Sequence, residues 1–139
     1  MHHAPGRARA GPGRVGDGVP SGRLSWFAVA PGFGAGLDAG MFSHIVIFWT
    51  KPEVPDAVEQ LLAGMERYLR PIPGVLSFHA GRMVPSHRPV VDQTYQVGLN
   101  IVFPDKATQD AYQVHPLHVE FVEKVFKRVC DRVVVYDFA

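Results

Sequence analysis

Residues 95–103 constrain the fold more than any other stretch of the chain. Tyr95, Val97, Leu99, Ile101 and Phe103 are apolar, while Gln96, Gly98 and Asn100 between them are polar or small. Side chains of an extended strand alternate between two faces, so this pattern predicts a strand with one unbroken apolar row. Such a strand belongs to a sheet covered on one side, as antiparallel sheets commonly are. Residues 42–49 read differently. They are β-branched and aromatic, with His44, Val46 and Phe48 on one face and Ile45, Ile47 and Trp49 on the other. Apolar character on both faces predicts a central strand.

Between these strands the period changes. Pro55 suits the first turn of a helix, and Asp56 and Glu59 suit its positive end. Val58, Leu61, Leu62, Met65 and Leu69 then recur at helical spacing, which predicts an amphipathic helix buried along that stripe. Pro71 and Pro73-Gly74 stop it. Residues 75–82 read as a second strand and 83–93 as a loop. Asp105 is a good helix N-cap, opening a short helix to about Val114. Pro116 starts a further helix to about Arg128, with Cys130 late in the same apolar run. Residues 133–138 (VVVYDF) form a last strand.

The order strand, helix, strand, strand, helix pair, strand is the split βαβ arrangement. The fold class is α+β: a ferredoxin-like βαββαβ protomer, its four-stranded antiparallel sheet carrying helices on one face. Two helices cannot cover the apolar surface available. Both faces of the first strand, with Phe78, Phe103 and Phe138, leave an excess that invites a second sheet. The expectation is a homodimer with the two sheets face to face, a dimeric α+β barrel.

Composition narrows the function. A net charge of +1 over 139 residues argues against nucleic acid or an anionic membrane surface as partner. No run of eighteen apolar residues is present, so no membrane span is expected. The single cysteine fits a reducing compartment, and a cytoplasmic location is expected. Residues 1–40 stand apart. They hold most of the 14 glycines, with Pro5, Pro12, Pro20 and Pro31, and Arg7, Arg9, Arg14 and Arg23 outnumber Asp17 and Asp38. This composition predicts a disordered extension. The arginines and scarce acids faintly resemble a transit peptide. The simpler expectation is that Met41 opens the functional chain and residues 41–139 form its one domain.

Chemistry concentrates at residues 111–118 (AYQVHPLH), where Tyr112, His115 and His118 recur at intervals of three. Pro116 excludes helical geometry from His115 and starts a new helix. His118 then lies in the first turn, in register with Phe121, Val122, Val125 and Val129, and faces inward. A desolvated imidazole there is neutral near pH 7 and fit to accept a proton. The structural alternative is a core histidine bonded to a backbone carbonyl. A metal shared by His115 and His118 lacks a third ligand at matching spacing.

These residues carry a resemblance. Residues 41–139 resemble the stress-responsive dimeric α+β barrel (Dabb) family. The matching features are Phe42-Ser43-His44, the turn Ile72-Pro73-Gly74-Val75, the strand around Tyr95, the Tyr112-x-x-His115-Pro116-x-His118 string followed by Phe121, and the closing strand. The resemblance implies a homodimer and a pocket between sheet and helices, holding a small hydrophobic molecule. One plant branch similar to this chain at the pocket cyclises linear polyketides by aldol condensation without a cofactor. The resemblance assigns the general base to His118 and its support to Tyr112, with His44, His115, Phe121 and Val46 as binding residues. The chain departs at Gln96, where many relatives carry an acid. Two functions follow: a cofactor-free cyclase- or lyase-type enzyme acting on a carbonyl compound, or a non-catalytic small-molecule-binding protein.

Overall fold

A computed structural model describes residues 40–139. All of the Gly/Pro/Arg-rich extension but Gly40 lies outside the described residues. Strand β1 spans Phe42–Thr50. Helix α1 spans Ala57–Gly64 and continues into a π-helical turn, Met65–Leu69. Strands β2 and β3 span Ser77–Arg82 and Val97–Phe103. Helix α2 spans Lys106–Val114 and α3 Pro116–Phe121. A second π-helical turn, Val122–Phe126, leads to a final turn α4, Lys127–Val129, and then to β4, Cys130–Phe138.

The strands form one antiparallel sheet in the order β2-β3-β1-β4, which is the ferredoxin-like arrangement. The two strands with the strongest apolar patterns occupy its centre. Their alternation sorts side chains as expected. Phe42, His44, Val46 and Phe48 of β1 and Val97, Leu99, Ile101 and Phe103 of β3 are all buried beneath the helices. Ile45, Ile47 and Trp49 face the other way and stay partly exposed.

The helices follow their punctuation. The Asp105 carboxylate accepts the Thr108 backbone N–H at 2.8 Å and caps α2. His115 is extended (φ −60°, ψ 140°) and Pro116 is the first residue of α3, as the missing N–H dictates. Three expectations need correction. The buried stripe of α1 runs through Ala57, Leu61, Gly64, Met65, Tyr68 and Leu69, while Val58 and Leu62 are only half-buried. The π turn advances the chain by more than 3.6 residues and rotates the buried face. Gly64 is part of that face because the second π-helical turn crosses there: a Cβ on it would stand 2.8 Å from the Val125 methyls. Secondly, Cys130 is not helical but opens β4, where it is a buried free thiol. Finally, Tyr95 precedes β3 and packs its ring against Trp49 at 6.4 Å.

Candidate functional site

Three rings from three elements meet under the helical layer. His44 comes from the middle of the sheet on β1, Tyr112 from the last turn of α2, and His118 from the first turn of α3. The His44 and Tyr112 ring centroids are 5.9 Å apart, and those of Tyr112 and His118 are 5.0 Å apart, both edge-on. Phe103 packs against two of these rings, 5.1 Å from that of Tyr112 and 6.2 Å from that of His44. The local chain explains the meeting. The extended His115 redirects the backbone between two short helices, so side chains six residues apart, Tyr112 and His118, turn toward one another rather than lying along one helix face.

Little of the trio reaches solvent. Tyr112 is 1% exposed, and His44 and His118 are 4% exposed. Burial therefore governs their ionisation. It pushes the Tyr112 phenol far above its ordinary value, so the group stays protonated. Burial also lowers His118 to about 4, with smaller contributions from the charges that His44 and His115 would carry. His118 is thus neutral throughout the physiological range.

Each histidine has a polar partner. The Nδ1 of His44 lies 2.5 Å from Oδ1 of Asp137, its cross-strand neighbour on β4. The Nε2 of His118 lies 3.3 Å from Nε2 of Gln113. Gln113 in turn accepts from the side chain of Gln109, which is buried, at 3.0 Å. His115 is half-buried, and its Nδ1 accepts the Leu117 backbone N–H at 3.1 Å. That bond caps α3 and commits one ring nitrogen to the backbone. Among the described residues, no group of three His, Cys, Asp or Glu side chains could hold a metal ion.

Of the residues expected at the site, His44, Tyr112 and His118 come together. Val46 and Phe121 belong to the adjoining buried core, and His115 stands at the corner between the helices. Gln96 bonds the end of β1 instead, its Oε1 accepting from Thr50 N at 2.8 Å. Gln109, Gln113 and Asp137 were not anticipated. For Asp137 a signal exists in the sequence. Val133, Val135 and Asp137 share one strand face, and the carboxylate breaks an otherwise apolar row.

A hollow lies on the helix-free face of the sheet, lined by Ile45, Ile47, His79, Tyr95 and Asn100 above Gly81 and Gly98.

A one-layer sheet, helices on one side and a buried Tyr-His pair at the helix junction define a ferredoxin-like α+β protein of the A/B barrel class. Residues 42–139 match the model of the stress-responsive A/B barrel domain, and the chain belongs to that family. It is similar to a stress-response A/B barrel domain-containing protein of Arabidopsis thaliana, At5g22580, with 33% identity over 97 residues, covering 70% of this chain and 84% of that one. It is also similar to a solved Dabb-family protein with a ferredoxin-like fold from Mesorhizobium loti. There the identity is 26% and the TM-score 0.60, covering 73% of this chain and 97% of the other. A dimeric ferredoxin-like protein from Jannaschia sp. CCS1 shares 25% identity at a TM-score of 0.57, covering 72% and 99%. Among the described residues no helix is long and apolar enough to cross a membrane.

Proposed function

We propose that this A/B barrel protein binds a small hydrophobic carbonyl compound beside the Tyr112–His118 pair and removes a proton from it without a cofactor. The observation that carries this reading is the 5.0 Å approach of two rings in desolvated surroundings, an imidazole neutral near pH 7 and a phenol that keeps its proton. A neutral His118 accepts the α-proton, and the Tyr112 hydroxyl donates a hydrogen bond to the developing enolate oxygen. A base held near pKa 4 is weak. It matches carbon acids already activated by two carbonyls, so 1,3-dicarbonyl compounds of the polyketide type are the favoured substrates for aldol cyclisation or a related lyase reaction. Val46 and Phe121 supply apolar walls, and His44 and His115 flank the space. The active form is a homodimer joined through the helix-free face, consistent with the exposed Tyr136 and Phe138 there and with the dimeric Jannaschia relative. A cytoplasmic location agrees with the free thiol of Cys130.

The test uses 2,4-nonanedione in deuterated buffer, following deuterium entry at the carbon between the carbonyls. His118→Ala is expected to lower the protein-catalysed rate by about 10²–10⁴-fold with the far-ultraviolet circular dichroism unchanged. An unaltered rate removes His118 from the chemistry. The near-complete burial of all three rings favours a second reading, in which the trio only orients a bound compound. In that case the dione raises the melting temperature and gains no deuterium beyond the buffer reaction.

A further inference from the structure

We infer that Asp137 is a positioning residue. It holds His44 with its proton on Nδ1, so that the bare Nε2 is the ring atom offered to an enolic hydroxyl of the bound 1,3-dicarbonyl compound.

The argument starts from strand register. In the β1–β4 ladder His44 is directly opposite Asp137, and Val46 is opposite Val135. Both pairs point to the helix side of the sheet. Directly opposed side chains on one face stand within reach of each other, and here Nδ1 and Oδ1 are 2.5 Å apart. The environments differ. The His44 side chain is 6% exposed, whereas that of Asp137 is 41% exposed. The carboxylate thus keeps contact with water while one oxygen reaches inward to a buried ring. A carboxylate only accepts, so a neutral imidazole in this contact must place its proton on Nδ1. Nε2 is then unprotonated and lies across the ring from the carboxylate, and Tyr112 stands edge-on to that ring at 5.9 Å.

This gives the two histidines different work. His118 has a neutral amide, Gln113, against one nitrogen and is discouraged from charging by burial and by His44. It is the proton acceptor. His44 has a carboxylate behind it and a lone pair in front. An unprotonated nitrogen on a buried ring is suited to accept from a donor, and 1,3-dicarbonyl compounds provide one as the enol hydroxyl. His118 takes the proton from the central carbon of the diketo form, and once that proton is returned to oxygen the resulting enol is held by its hydroxyl on His44 Nε2. The assignment rests on the proposed proton transfer for its chemistry, but the tautomer stands on geometry alone.

The experiment is a long-range proton–nitrogen correlation spectrum of the full chain labelled with ¹⁵N-histidine, measured at pH 8. In the wild type His44 is expected to carry its proton on Nδ1. Asp137→Asn offers an amide that can donate to Nδ1, and the proton is expected to move largely to Nε2. Asp137→Glu keeps an acceptor and is expected to retain the Nδ1 proton. In the 2,4-nonanedione assay Asp137→Asn should lower the maximal rate by roughly 10–100-fold, with Asp137→Glu recovering part of it. A wild-type His44 protonated on Nε2 overturns the inference, as does an unchanged tautomer in Asp137→Asn. The wild-type spectrum decides the matter even if the variants fail to fold. Full deuterium uptake by His118→Ala, by contrast, defeats the proposed reaction and leaves the tautomer result standing.

Discussion

Val46 and Ile47 are neighbours in one strand and live in different worlds. Val46 faces the helices and is 4% exposed, closed in with Phe42, Phe48 and the β3 row. Ile47 faces outward onto a surface with Ile45, Val134 and Tyr136 that no element among the described residues covers. The first face is completed by the chain itself, and there it can hold histidines and a tyrosine out of water. The second is an exposed apolar patch of the kind at which proteins associate. On the proposed reading, one side of the sheet carries the chemistry and the other the assembly.

The most severe way to break this comparison is a carboxylate on each side. Val46→Asp would bury a charge with no partner, costing roughly 4 kcal/mol or more, and should leave little folded protein in a denaturant titration. Ile47→Asp, one residue away, should change monomer stability by less than about 1 kcal/mol and instead halve the mass in sedimentation experiments. Equal damage from both would erase the distinction between the faces. A smaller effect concerns pH. In the fold His118 is lowered to about 4 from 6.5, so the unfolded chain binds a proton that the native chain refuses. Stability should be full above pH 6.5 and fall as the pH drops toward 4, by on the order of 3 kcal/mol for a shift of this size. His118→Gln should flatten that part of the profile in urea titrations at several pH values. The mildest test is Asp105→Ala, which removes the cap of α2 and should cost about 1 kcal/mol while leaving the helix-free face and the mass unaltered.

What the sequence revealed follows from which signals are local. The alternation in β3, the two apolar faces of β1, the Asp105 cap and the Pro116 start each depend on a few adjacent residues, and each is found in the structure. The inward turn of His118 was readable because Phe121, Val122 and Val125 follow it at helical spacing. The buried stripe of α1 was misread for a physical reason. Ala57 and Gly64 bury almost no apolar area and leave no hydropathy signal, and the π turn at Met65–Leu69 breaks the expected period. Cys130 was misassigned because an apolar run carries one pattern through the change from helix to strand. The contact of His44 with Asp137 spans 93 positions and exists only through the β1–β4 register, so no local pattern announces it. The Gln109–Gln113–His118 line hid in plain polarity, since glutamines on a helix are usually solvated.

Where the long helices cross, at Gly64 and Val125, not even a methyl group fits between them. That junction acts as a rivet. A side chain at position 64 would push the two helical segments apart and loosen the layer that keeps the rings out of water.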